Sequence, residues 1–362
     1  MRRNDPVIIG GGPAGSAAAI TMARCGAKPL ILERSTQTGD AICGGFISWR
    51  TLATLQKLGL TLDDLRGHRV TQLRLFAGRH RAVAPLPKPA IGISRRRLDT
   101  LLLERAQAAG AALERGVSVR ELCTPGQLRM SDGAVITSQS LFLATGKYDL
   151  RGAARPKNDD LTLGLRLLIP PHPALIKLIG DSIELHLFRG GYCGIMINET
   201  GQANLCMAIR KTRLAQMGGD TDRLLAELGR ENPALGERLS FAGGAPRDAI
   251  SAIPYGWIAN HTQAGLFRLG DQAAVIPSLA GEGNGIALAS GIAAAAAWHS
   301  GGARAAPAYQ ARFALAARRP VTQAMRLWHW SERPFPARIA TNIIALMPAI
   351  AAHFAGMTRI DG

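Results

Sequence analysis

The sequence predicts an α/β fold: a parallel nucleotide-binding sheet interrupted by a mostly antiparallel sheet and followed by a helical C-terminus. Three observations carry that reading. Near the start, an apolar segment runs into closely spaced glycines and then into an alanine-rich stretch. In the middle of the chain, apolar and polar residues alternate with a period of two. Later, strand character returns briefly before a second alanine-rich stretch and a proline-punctuated tail.

The first element is Val7 to Ser16, VIIGGGPAGS. Val7-Ile8-Ile9 reads as a buried strand, Gly10-x-Gly12-x-x-Gly15 as a turn, and Pro13 to about Cys25 as a helix. A dinucleotide diphosphate needs this order, because it must approach bare backbone and face the positive end of a helix. Gly10 permits the tight turn, Gly12 removes a side chain where phosphate sits, and Gly15 lets helix and strand pack closely. A second apolar segment, Leu30-Ile31-Leu32, ends in Glu33, where a carboxylate can accept bonds from a ribose. The unit is Rossmann-like.

A helical stretch follows at Ile47 to Leu58, and Arg95 to Ala109 is amphipathic, with Leu98, Leu101, Leu102 and Ala106 on one face. Short strands are expected near Ala111–Glu114, Val117–Leu122, Leu128–Met130 and Ala134–Thr137. Leu141 to Gly146 reads as a further parallel strand of the nucleotide sheet. From Leu161 to Arg210 the texture changes to alternating segments such as Ser182–Phe188 and Ala203–Ile209, which mark antiparallel strands with one buried face. Asp222–Gly229 is a helical patch, Gly265 to Asp271 a strand and turn, and Gly285 to His299 a helix. From Ala305 on, the chain reads as helical with proline breaks. The nucleotide domain is therefore expected to be discontinuous, over residues 1–70, 90–160 and 262–300. Residues 71–89 and 161–261 form the inserted substrate-binding sheet domain, and 301–362 the C-terminal helical segment.

A chain of 362 residues can bury a full core. Its formal net charge is +17, and only seven of the 43 basic residues are lysine. Nucleic-acid binders more often interleave a basic stripe with aromatics; with 5% aromatic residues and scattered arginines, this chain is read as attracting anionic cofactors and as binding no nucleic acid. The five cysteines show no C-x-x-C spacing, which points to a reducing compartment without disulfides or zinc. No H-x-E or H-E-x-x-H arrangement occurs, and no metal is expected. The first strand starts too early to leave room for a secretory signal, so a cytoplasmic location is expected. Ile343 to Met357, interrupted by Pro348 and His353, is too short to span a bilayer but could form part of a hydrophobic lid or lie on a membrane surface.

Four further pieces limit the choice of family: Arg95-x-x-Leu98-Asp99, Ala144-Thr145-Gly146, Gly270-Asp271, and PSLAGEGNG from Pro277 to Gly285. With the N-terminal motif, they make Val7 to Ala297 resemble the flavoprotein superfamily of aromatic hydroxylases, geranylgeranyl reductases and flavin halogenases. Cys43-Gly44-Gly45-Phe46 and the late glycine loop look closest to the geranylgeranyl-reductase-like branch. The resemblance implies FAD on a glutathione-reductase-type domain. Gly10, Gly12, Pro13, Ala14 and Gly15 would hold the diphosphate, and Glu33 with Arg34 the adenosine ribose. Val119 would meet the adenine through its backbone, and Arg95 would reach the phosphate or flavin side. Gly270 and Asp271 would bind the cofactor, Asp271 through the ribityl chain or a phosphate-side water, unless Asp271 only caps the alanine-rich helix that follows. Gly44, Gly45, Gly283, Asn284 and Gly285 would lie along the flavin. Two departures narrow the reaction. Thr145-Gly146 stands where aromatic hydroxylases usually carry Asp-Gly, so the electron donor is either NAD(P)H or a separate reductase. Trp328-His329-Trp330 is followed by Ser331-Glu332, unlike the halogenase Trp-x-Trp-x-Ile-Pro motif.

On the substrate side, Gly190-Gly191-Tyr192-Cys193-Gly194 is the most pocket-like stretch of the inserted sheet. Tyr192 could orient a carbonyl or phenol or be an ordinary strand tyrosine, and Tyr255 and Trp257 suit a planar or greasy substrate or plain core packing. His186 alternates with Leu185 and Leu187 and is a weak acid–base candidate. Cys43, before two glycines, could donate a proton or contact substrate, or simply pack beside the ring. The implied reaction is monooxygenation of a hydrophobic aromatic or polyketide-like molecule through a flavin C4a-hydroperoxide, as in secondary metabolism, with a flavin reductase as a candidate partner. The alternatives are ene reduction of an isoprenoid chain and electron transfer to a docked partner.

Overall fold

Val7–Ile9 forms the centre of a five-stranded parallel sheet whose order is Leu266–Arg268, Leu141–Leu143, Val7–Ile9, Leu30–Glu33, Ala112–Arg115. Its alternation is buried on both faces. Ile8, Ile31, Phe142 and Phe267 point to a helical layer, while Val7, Ile9, Leu30 and Leu32 point to Leu122, Leu128 and Met130 of a second sheet. That second sheet is four-stranded, ordered Arg2–Arg3, Val135–Ser138, Gln127–Met130, Val119–Thr124. Because the chain leaves Val7–Ile9 toward one neighbour and returns later to the other, a crevice opens at the carboxyl ends of these strands. The structure is a computed structural model describing residues 2–3, 6–156 and 162–360. Residues 157–161, including the expected sheet start at Leu161, and Met1, Asn4, Asp5, Asp361 and Gly362 lie outside the described residues.

The helix Pro13–Arg24 covers the sheet, and the alanine-rich helix Gly283–Gly301 lies against it. A Cβ on Gly291 would stand 2.3 Å from the Ala14 carbonyl oxygen, so the two backbones meet with no room for a side chain. This closeness is what the alanines and glycines of both helices are for.

An eight-stranded sheet forms the second body, ordered Arg247–Ile253, Thr162–Ile169, Ala203–Arg210, Gly191–Ile197, Ser182–Phe188, His68–Ala77, His80–Gly92, Phe46–Ile47. It is antiparallel except between Ser182–Phe188 and His68–Ala77. One face packs Leu205, Ile195 and Leu167 on Leu224, Leu228 and Leu235 of two helices, Thr221–Glu231 and Pro233–Leu239. The opposite face turns Tyr192, Gly194, Met196 and Cys206 toward the crevice. The expected insert 71–89 lies within the longer hairpin 68–92. Helices Ala306–Ser331, Pro334–Leu346 and Ala349–Met357 complete the chain.

Two local expectations are corrected. The helix expected from Ile47 starts at Trp49, because Phe46–Ile47 pairs with Ile91–Gly92 and Ser48 Oγ then accepts from Thr51 N at 3.3 Å. The strand expected through Gly146 ends at Leu143, because the backbone turns away through Gly146 at φ +60°.

Candidate active site

A cavity of about 610 Å³ extends from the glycine turn to the inserted sheet, within the size range of cofactor and ligand sites. At its nucleotide end Gly10 has φ +105°, and a Cβ there would stand 2.5 Å from the Ala144 carbonyl oxygen. A Cβ on Gly12 would meet only Arg95 Nη2, 3.5 Å away, so the bare backbone at this turn faces the cavity beside Pro13 and Ala14. Gly15 lies behind the wall, where a Cβ would be 2.0 Å from the Gly10 carbonyl oxygen. Glu33 Oε2 accepts from Gly11 N at 2.8 Å and Oε1 from Ser35 N at 2.9 Å, leaving each oxygen a further acceptor site. Val119 lines the same end, and the Arg34 guanidinium lies 3.9 Å over the Tyr148 ring.

Arg95 is held by Asp99 in a two-pronged pair, Nε–Oδ1 2.8 Å and Nη2–Oδ2 2.7 Å, one helical turn apart. Burial works against its charge, but the Asp99 carboxylate outweighs that and raises its pKa, so a cation is kept at the cavity wall. Burial also raises the Asp99 pKa, with Arg95 opposing. Asp271 lines the cavity from the short turn Gly270–Gln272, and its carbonyl accepts from Arg155 Nη1 at 3.1 Å. It does not cap the alanine-rich helix, which begins at Gly283 with Glu282 in the cap position.

The loop through Cys43 belongs to the nucleotide unit but is fastened by the inserted sheet. Buried Arg166 donates to the Asp40 carbonyl at 2.7 Å, the Ala41 carbonyl at 3.0 Å, and the carboxylates of Asp40 and Asp248 at 3.0 and 2.5 Å. Lys147 Nζ reaches the Ile42 carbonyl at 2.8 Å, and Asn204 Nδ2 the Cys43 carbonyl at 2.9 Å. Gly44 and Gly45 line the cavity, as do Gly283 and Asn284 opposite. The Cys43 thiol accepts from Gly45 N at 3.4 Å and from Asn284 Nδ2 at 3.8 Å. Gly285 is not on the wall; a Cβ there would stand 2.3 Å from Glu282 Oε1, so this glycine makes room for a buried carboxylate.

At the far end three hydroxyls meet. Tyr192 Oη donates to Ser278 Oγ at 2.6 Å, and Tyr255 Oη bonds the same oxygen at 2.5 Å. Both rings stand edge-on to buried Trp328, with centroids 5.7 Å apart. Burial raises the pKa of both tyrosines, keeping them as neutral phenols. Around them the wall is apolar, with Ile183, Leu185, Ile250, Ile253 and Leu279. Trp257 is not on this wall; it lies under the Arg155 guanidinium, 6.0 Å away, so the aromatic partner of Tyr255 at the cavity is Tyr192. His186 is enclosed elsewhere, stacked on Phe76 at 4.5 Å and bonded to Glu184 at 3.2 Å. Sequence reasoning missed Ser278, Trp328, Arg166 and Asn204. Ser278 lay inside a motif already singled out, but nothing local marks a serine that two distant tyrosines approach.

Residues 3–127 match the family described as an FAD binding domain. The chain is 27% identical over 323 residues to a menaquinone reductase of Mycolicibacterium smegmatis, an alignment covering 83% of this chain and 77% of that protein. PqsL of Pseudomonas aeruginosa, solved in complex with 2-aminobenzoylacetate, superposes with a TM-score of 0.74 at 16% identity, covering 94% of this chain and 100% of that one. A geranylgeranyl bacteriochlorophyll reductase-like protein of Thermoplasma acidophilum superposes with a TM-score of 0.67 at 16% identity, covering 99% and 92%. The site suits FAD on its own geometry. A Cβ on Gly44 or Gly283 would meet nothing within 4 Å, so backbone is bared toward the crevice on both sides where a flat ring would lie.

Proposed function

We propose that this chain, whose residues 3–127 match an FAD binding domain, is an oxidoreductase of the superfamily that holds the geranylgeranyl reductases and aromatic hydroxylases, and that it hydroxylates a lipophilic molecule with a phenol or carbonyl head. The observation that carries the reading is the Tyr192–Ser278–Tyr255 cluster at the end of an otherwise apolar pocket. With Tyr192 donating to Ser278 and Ser278 to Tyr255, the neutral Tyr255 phenol can donate to an oxygen of the substrate, while the hydrocarbon wall takes its ring or tail. The ligand of PqsL, 2-aminobenzoylacetate, is an aromatic molecule bearing a carbonyl, which supports a head of this kind.

Bound FAD would supply two-electron chemistry with molecular oxygen. The residues of the chain do the rest. The backbone amides of Gly12 and Ala14 would receive the diphosphate, Glu33 the ribose hydroxyls, and Arg95 would offset phosphate charge. Tyr192 and Tyr255 fix the head of the substrate, and the apolar wall keeps water from the reacting carbon. In the net reaction, one oxygen atom enters a carbon–hydrogen bond of the substrate. The other leaves as water, with two electrons from NAD(P)H or a separate reductase and two protons, of which NAD(P)H supplies one with its hydride and solvent the rest.

A second reading, reduction of a carbon–carbon double bond, draws on the menaquinone reductase relative and on the Cys43 thiol in the cavity beside Asn284. One experiment separates them. The FAD-loaded protein, reduced and then given lipophilic phenols, should consume oxygen with formation of hydroxylated product, and Cys43→Ala should retain this turnover. Anaerobic product formation that disappears in Cys43→Ala would replace hydroxylation by reduction. A protein that binds no FAD would end both readings.

A further inference from the structure

We propose that the helix Pro334–Leu346 docks this protein on the surface of an anionic lipid bilayer, directly outside the wall of the substrate pocket. Phe335, Ile339, Ile343 and Leu346 are 74%, 44%, 43% and 83% exposed, and Met347, 59% exposed, continues the series. At about 100° per residue the four helical positions fall within an arc of about 80°. They form one continuous apolar stripe rather than scattered surface residues. The other face of the same helix is buried. Ala337 and Thr341 are enclosed, and Ile344 packs on the cluster of Tyr192, Tyr255 and Trp328. One helix thus has its inner side against the pocket and its outer side bare.

Charge selects the occupant. Between residues 306 and 360 the sequence holds seven arginines and a single carboxylate, Glu332. Glu332 is engaged by Arg210 at 2.7 and 3.0 Å and so offers little negative charge to a partner. Arg326, Arg333 and Arg338 are exposed around the start of the stripe, and Trp330, 59% exposed, precedes it. An apolar strip bordered by arginine and an amphipathic indole matches the boundary between anionic headgroups and acyl chains. A protein partner would have to be both strongly acidic and apolar. Among the described residues no helix is long and apolar enough to cross a membrane, so the helix would lie in the interface plane.

The test is co-sedimentation of the FAD-loaded protein with vesicles of phosphatidylcholine alone or mixed with phosphatidylglycerol, without substrate, so the result does not depend on the proposed reaction. Binding should require phosphatidylglycerol and weaken at least tenfold in high salt. The variant F335S/L346S should partition at least tenfold more weakly, and R326E/R333E/R338E should lose the preference for anionic lipid. Retained FAD absorbance and an unchanged melting profile would show that both remain folded. Equal binding to both vesicle types, no binding to either, or a concentration-dependent dimer that F335S/L346S abolishes would overturn the proposal.

Discussion

Arg359 Nη1 stands 2.6 Å from Glu282 Oε2, and both side chains are buried although 77 residues separate them. The same nitrogen donates to the Ala280 and Gly281 carbonyls at 2.9 and 3.0 Å. Arg359 therefore fixes the glycine loop whose Gly281, Gly283 and Asn284 line the cavity. Replacing Arg359 by Met leaves a buried carboxylate without its cation, which should cost about 3–5 kcal/mol. Burial raises the Glu282 pKa and Arg359 opposes it. A raised folded value favours folding at low pH and loses that contribution as pH rises. The deficit of the variant should therefore be smaller at pH 5 than at pH 8, as read by thermal melting, and E282Q added to it should restore much of the stability.

Gly12 and Gly15 should separate binding from folding. Gly12→Ala places a methyl toward the cavity near Arg95, so the apoprotein should melt as before while FAD affinity falls at least tenfold. Gly15→Ala drives a methyl into the Gly10 carbonyl, so the apoprotein itself should lose stability. Flavin fluorescence titration and melting of both apoproteins measure the two effects.

Ser278→Ala removes the partner shared by the buried Tyr192 phenol and the half-buried Tyr255 phenol and should cost about 1 kcal/mol in stability or substrate binding. The FAD spectrum should be unchanged while KM rises. With both tyrosine pKa values raised, the pH–rate profile below pH 9 should show no step that Tyr192→Phe or Tyr255→Phe removes.

Burial would raise the Glu184 pKa, yet hydrogen bonds from His186 and Arg238 override it and pull the value down to about 2. A lowered folded value stabilises above the ordinary carboxylate range and is lost as pH falls from about 4.5 toward 2. At neutral pH this contribution is about 3 kcal/mol. The slope of stability against pH over that window should flatten in Glu184→Gln, measured by denaturant unfolding.

The parts legible in the sequence are those with local signals. The turn at Gly10 to Gly15, the acid after Leu32 and the period-two strands each declare themselves within a dozen residues. What escaped depends on contacts across the chain. Ser278 meets Tyr192 from 86 residues away, and Arg166 holds Asp40 from 126 away. Trp257 reads equally as a pocket or a core residue, and its ring lies beside Arg155 off the cavity wall. The start of the helix at Trp49 was hidden because Ile47 looks helical until its pairing with Ile91 places it in a strand.

The fastening of the Asp40–Cys43 segment by Arg166, Lys147 and Asn204 bears on how such proteins diversify. A graft that exchanged the inserted sheet for a relative's would replace Arg166, Asn204 and Asp248 while leaving Asp40 behind. New specificity by module exchange would therefore bring a mismatched seam, unless residues 39–45 travelled with the donor sheet. Point changes along the pocket wall leave that seam whole and offer the easier route to a new substrate.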